Sequence, residues 1–282
     1  MENILELRSV KKKYDRFDLD MSFAVPRGSI VGLVGRNGSG KTTTIKLIAG
    51  AIYQDGGELK LFDNRIEELP IAEKEKLAVC YDDLYLFGEY HAGDVQKIMK
   101  NIYKTWDDKR FEEYIERFDL NKKQKIKEYS RGMKMKLSIA IALSHATQLL
   151  VLDESTTGLD PVVRGEILDM LRDFVQDESR SVLISSHITS DLEKVCDHLI
   201  FIEKGRVVLH QTITELEEEF AILKCSEEEL QALDKEAVVS FQKGRFGIEA
   251  LVYRKKVQGG VMDNASIEDI LRFISRSERE VC

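Results

Sequence analysis

The short apolar run Ile30 to Val34 leads directly into Gly35-Arg36-Asn37-Gly38-Ser39-Gly40-Lys41-Thr42. A nearly continuous apolar run of this length suits a central parallel strand covered on both faces. The spacing after it matches G-x-x-x-x-G-K-[ST], and a helix is expected to follow over Thr42 to Ala49. Glycines let successive backbone N–H groups turn inward as a nest for phosphate oxygens, and the helix N-terminus adds its partial positive charge. In such a loop Lys41 neutralises terminal phosphate oxygens, and Thr42 offers its hydroxyl to a magnesium ion bridging them. Gly35, Asn37, Gly38, Ser39, Gly40, Lys41, Thr42 and Thr43 are therefore the expected phosphate-binding residues.

A second run, Leu149-Leu150-Val151-Leu152, ends in Asp153 and Glu154. Adjacent strand residues point to opposite sides, so the two acids cannot share one task. Asp153 is the expected magnesium partner, and Glu154 is placed to orient or deprotonate an attacking water. His187 emerges after the apolar run 182 to 185, on the same carboxyl edge of the sheet. His91, His145, His198 and His210 read as structural.

Around these points the periodicity changes along the chain. Phe17, Leu19, Met21, Phe23 and Val25 alternate with mostly polar neighbours, as in a half-buried antiparallel strand. Val95, Ile98, Met99, Ile102, Phe111, Ile115 and Phe118 recur at helical spacing, broken near Trp106-Asp107-Asp108. Strand-like runs at 149–152, 182–185 and 199–202 alternate with helical segments near 133–146, 162–176 and 189–196, which argues for a parallel α/β sheet. Beyond Leu216 the chain reads as an acidic helical stretch, Glu215 to Glu229, then strands at Val238 to Phe241 and Gly247 to Arg254. A terminal helix follows, with capping-box spacing at Ser266 to Asp269.

Of 282 residues, 43% are hydrophobic and 33% charged, the mix of a globular chain rather than a disordered one. The net charge of −8 and pI near 5.4 provide no general positive field, so nucleic acid is not an expected partner. No basic-then-apolar leader opens the sequence, and no run of roughly 18 apolar residues could span a membrane. Cys80, Cys196, Cys225 and Cys282 stand singly, which suits reduced thiols better than disulfides or zinc.

Tyr129-Ser130-Arg131-Gly132-Met133-Lys134 resembles the signature motif of ABC ATPases, usually L-S-G-G-Q. The drift at its first, third and last positions looks like exporter ATPases of the ABC-2 type. Phosphate loop, signature, acidic strand, Ser155-Thr156-Thr157-Gly158-Leu159-Asp160 and His187 follow in the order of an ABC cassette across roughly residues 3 to 212. That resemblance implies a P-loop NTPase (RecA-like) α/β core with an antiparallel β subdomain, a helical insertion subdomain and a small C-terminal α+β extension. It makes ATP and Mg2+ the cofactors and adds Tyr14 as the aromatic stacked on adenine, with Ser130, Gly132 and Asp160 as further nucleotide residues. Lys41, Glu154 and His187 are then the catalytic set, and Thr42, Asp153 and Asp82 the metal set. Two positions depart from the family pattern: Ser155 stands where proline is common, and Asp82, or alternatively Asp83, where the family has a glutamine.

The resemblance further implies that Ser130 and Gly132 of a second copy close each ATP, so that the working unit is a homodimer. The expected function is ATP hydrolysis powering export, through a separate ABC-2-like permease, of an amphipathic or antimicrobial peptide or similar hydrophobic compound. The expected location is the cytoplasmic face of the membrane. Residues 1–212 would form the cassette, with a helical subdomain over about 84–146, and 213–282 an extension for dimerisation or regulation. Leu84-Tyr85-Leu86-Phe87 is the expected grip on the membrane partner. The alternatives are a soluble ABC ATPase acting on nucleic acid or ribosomes, and a plain P-loop kinase or GTPase. The first usually carries two cassettes, a long coiled coil or zinc modules; the second would explain neither the signature nor His187.

Overall fold

The computed structural model describes residues 2–81, 88–244, 247–257 and 259–280. Two long strands, β1 (Asn3–Tyr14) and β2 (Phe17–Pro26), pair antiparallel and lead into β3 (Ile30–Val34) and helix α1 (Lys41–Ile48). Next come β4 (Gly56–Leu61), β5 (Asn64–Arg65), α2 (Ile71–Lys74) and β6 (Leu77–Cys80). A helical region follows, α3 (Ala92–Ile102), α4 (Asp108–Arg117) and α5 (Arg131–Leu143). Then β7 (Leu149–Asp153), α6 (Pro161–Phe174), β8 (Ser181–Ser186), α7 (Thr189–Val195), β9 (His198–Glu203) and β10 (Arg206–Thr212) complete the main sheet.

Ten strands lie in the order β5-β4-β1-β2-β10-β9-β3-β8-β7-β6. The half from β9 to β6 is parallel, and its strands β3, β7 and β8 are buried along their whole length because helices cover both faces. In the antiparallel half β2 alternates buried and more exposed positions, as its sequence period of two demands. Strand alternation also separates two cores. Ile30 and Val34 of β3 join Leu150 and Leu152 against α5, α6 and α7, whereas Val31 and Leu33 join Leu149 and Val151 against Ile45, Leu47 and Ile48 of α1.

The C-terminal region consists of α8 (Ile213–Glu219), β11 (Phe220–Cys225), α9 (Glu227–Ala232), β12 (Val238–Gly244), β13 (Gly247–Tyr253), β14 (Val261–Asn264) and α10 (Ile267–Glu280). Its strands form a separate sheet, β12-β13-β11-β14. The acidic stretch expected as one helix is interrupted here. Phe220, Ala221, Ile222 and Leu223 are buried, and β11 pairs with both β13 and β14, so cross-strand pairing overrides the helical reading of the flanking glutamates. Helix α10 packs against α7: Ile270 and Phe273 share a core with Leu192 and Val195, and Glu193 Oε1 accepts the N–H of Ile267 at 2.6 Å.

Cys80 and Cys196 are buried free thiols, and burial pushes the Cys80 thiol up to about 11. His145 is buried as well, its ring stacked on Tyr103 at 4.0 Å between centroids, with Nδ1 2.8 Å from the Glu75 carbonyl oxygen. Burial holds this imidazole below its ordinary titration range, against the weaker opposing effect of Glu75. The unfolded chain therefore takes up a proton that the folded one resists. Stability from this site is fully present above about pH 6.5 and declines as pH falls below it, at up to ~1.4 kcal/mol per pH unit. Thermal denaturation between pH 5 and pH 8 should show this slope in the wild type, and His145→Gln should flatten it.

Candidate nucleotide site

The loop after β3 needs its glycines for different reasons. A Cβ at Gly35 would lie 2.4 Å from the Ile202 carbonyl oxygen and 2.5 Å from Ser39 Oγ, so only glycine fits. Gly40, at φ +115°, lies where side chains rarely go, and a Cβ there would meet Phe17 and Leu19. The tight return that follows brings Lys41 back over its own loop. Its buried Nζ donates to the Gly35 carbonyl at 2.7 Å and lies 3.3 Å from Glu154 Oε1. Ser39 Oγ is buried without a hydrogen-bond partner among the described residues. The loop opens into a cleft of about 760 Å³ reached by Asn37, Thr42, Thr43, Glu154 and His187, a volume suited to a nucleotide.

The two acids diverge for a reason the strand pattern does not supply. Asp153 ends β7, and Glu154, just past it, adopts φ +51°, a left-handed conformation uncommon outside glycine. That turn is held by its N–H, which donates to Ser185 Oγ at 3.0 Å and lies 3.2 Å from the Ser185 carbonyl. It carries the carboxylate across the cleft to Lys41, and there Oε2 meets His187 Nδ1 at 2.6 Å and accepts from Thr157 Oγ1 at 3.0 Å. Partial burial alone would raise the Glu154 carboxyl; the hydrogen bond with His187, the Lys41 ammonium and the Thr157 hydroxyl outweigh it and hold the group below the usual carboxylate range. Glu154 is thus an anion at neutral pH, as a proton acceptor must be.

Asp153 is also buried. Its Oδ1 accepts from Ser185 Oγ at 2.7 Å, which leaves Oδ2 without a hydrogen-bond partner among the described residues. Asp153 and the Thr42 hydroxyl are hard oxygen donors of the kind Mg2+ takes alongside phosphate and water, so the residues present fit that ion.

Other expected residues sit at the margin. Tyr14, at the end of β1, is 48% exposed, its ring centroid 6.5 Å from that of Phe17; Phe17 and Arg16, rather than Tyr14, line the cleft. Ser130 caps α5, accepting the Met133 N–H at 3.2 Å, and Gly132 faces Val163. Neither lines this chain's own cleft, but Arg131 between them does. Asp160 caps α6 through the N–H groups of Val162 and Val163. Asp82, Asp83 and Leu84-Tyr85-Leu86-Phe87 lie outside the described residues. Sequence reasoning missed Ser185, Thr157, Arg16, Phe17 and Arg131. Only for Thr157 was there a local signal, its place three residues after Glu154 in a turn.

Residues 19–157 match the family model described as ABC transporter. Over 221 residues the chain is 33% identical to the ABC transporter ATP-binding protein YtrB of Bacillus subtilis, covering 77% of this chain and 75% of that protein. It is 29% identical to the bacitracin transport ATP-binding protein BcrA of Enterococcus faecalis, over 77% and 71% of the two chains. A solved structure described as the ATP binding subunit of an ABC transporter superposes with a TM-score of 0.69 at 26% identity, covering 76% of this chain and 91% of that one.

Proposed function

We propose, from the premise that this chain belongs to the ABC transporter ATP-binding family, that it drives export of an amphipathic or antimicrobial peptide, or a similar hydrophobic compound, through a separate ABC-2-like permease. As a member of that family it is an ATPase. The observation that carries the hydrolytic part of this reading is the carboxylate of Glu154, held by Lys41 on one side and His187 on the other at the mouth of the phosphate cradle. ATP phosphates entering the loop would take over the Lys41 ammonium. Glu154 is then free to accept a proton from water aligned with the γ-phosphate, with His187 still bonded to its second oxygen. Asp153 and Thr42 would hold Mg2+, which supplies neutralisation of the phosphate charge.

One feature supports a working pair of chains, and another a separate permease. Ser130 and Gly132 lie off their own chain's cleft, at the start of α5, available to the γ-phosphate bound by a second copy. Among the described residues no helix is long and apolar enough to cross a membrane, so a permease would be a separate partner, with this chain at the cytoplasmic face. The names of relatives support the cargo class: besides the bacitracin protein, a lantibiotic transport ATP-binding protein of Streptococcus pyogenes is 29% identical over 212 residues.

ATP with Mg2+ should convert the Glu154→Gln chain from monomer to dimer in light scattering, while ADP should not. A variant that stayed monomeric would remove the paired mechanism. Co-purification with its permease, followed by ATPase assays against a panel of amphipathic peptides, tests the cargo; stimulation by none would remove the export reading.

A further inference from the structure

The two acids of the site are joined by a residue that neither motif contains. Ser185 lies on β8, between β3 and β7, in register with Leu33 on one side and Asp153 on the other. It is fully buried, with no exposed surface. Its Oγ makes two hydrogen bonds, one with Asp153 Oδ1 at 2.7 Å and one with the Glu154 N–H at 3.0 Å. A hydroxyl has one hydrogen and two lone pairs, and a backbone N–H can only donate. The Glu154 amide therefore occupies a lone pair, and the single hydrogen of Ser185 is directed at the Asp153 carboxylate.

We propose that Ser185 is a positioning residue for the hydrolytic reaction, a buried hydroxyl that sets both acids at once. This rests on the nucleotide reading above. Through Oδ1 it fixes the rotation of the Asp153 carboxylate, whose Oδ2 would remain for Mg2+. Through the amide, which the hydroxyl shares with the Ser185 carbonyl, it helps hold Glu154 in the left-handed turn that carries its carboxylate to Lys41 and His187. The hydroxyl of Ser186, the next residue, accepts the Ile188 N–H at 3.0 Å. A side chain without a hydroxyl at 185 would leave a buried amide short of one acceptor and a buried carboxylate short of its donor.

The test uses the full chain in the Glu154→Gln background, where the amide at 154 is kept and hydrolysis is suppressed. Affinity for a fluorescent ATP analogue is measured with Mg2+ and with EDTA, alongside the thermal midpoint. Adding Ser185→Ala should reduce the gain in affinity that Mg2+ brings by about three- to tenfold, with the EDTA value unchanged. Ser185→Thr, which keeps a hydroxyl, should restore most of it, and Ser185→Cys, a near-isosteric weak donor, should fall between. An unchanged Mg2+ gain in Ser185→Ala and Ser185→Cys would overturn the proposal. So would an equal loss of affinity with and without metal, the mark of a merely structural role. Failure of the Glu154→Gln parent to bind ATP in either condition would instead remove the nucleotide reading itself, and the proposal with it.

Discussion

Glu154→Gln should lower the steady-state ATPase rate by roughly 10²- to 10⁴-fold, the range removed when a positioned general base is lost, while ATP still binds. The amide is nearly the same size and can still meet His187 and Thr157, so the left-handed turn survives; what disappears is the basicity. Glu154 also lies 3.3 Å from Lys41 and competes with phosphate for it, so neutralising it removes a competitor. ATP affinity should therefore be unchanged or tighter. Phosphate release under saturating ATP, set beside equilibrium binding, checks both halves. A rate within tenfold of wild type would mean that another group accepts the proton.

Lys41→Ala should act earlier, on binding. Lys41 is buried, and its ammonium serves the Gly35 carbonyl and the Glu154 carboxylate before any ligand arrives. Truncating one partner of a buried, hydrogen-bonded charge pair costs binding on the order of 3 kcal/mol, a loss of roughly a hundredfold in ATP affinity. Hydrolysis should become undetectable at millimolar ATP, because the same charge neutralises the terminal phosphates as the bond breaks. The variant loses the bond from Lys41 to the Gly35 carbonyl, while the steric fit of Gly35 against Ile202 and Ser39 and of Gly40 against Phe17 and Leu19 is kept. Equilibrium binding separates this outcome from that of Glu154→Gln. Binding close to that of wild type would show that the backbone nest alone carries the affinity.

Lys41 was readable from the chain because its place depends on neighbours in sequence. Gly35 to Thr42 is one turn between a strand and a helix, and each side chain's role follows from its offset within it. The parallel half of the sheet was equally legible: β3, β7, β8 and β9 are short apolar runs because both faces are covered, and burial on both faces leaves no polar alternation. The C-terminal region was less so. Glutamates flanking Phe220 to Leu223 satisfy a helical pattern, and the pairing with β13 and β14 that makes this segment a strand comes from residues far along the chain.

What local pattern established, then, is the phosphate loop, the acidic strand end and the alternation of strand and helix, since each is a relation among residues a few positions apart. Tertiary structure alone decided what the two acids are bonded to. Asp153 and Glu154 are adjacent in the chain, yet each is held by Ser185, thirty-two and thirty-one positions further on, and Glu154 also meets His187 beyond it. No spacing rule reports a parallel register between β7 and β8, because hydrogen bonds between strands are made by backbone groups that every residue carries. Only when the strands lie side by side does one buried hydroxyl meet both acids.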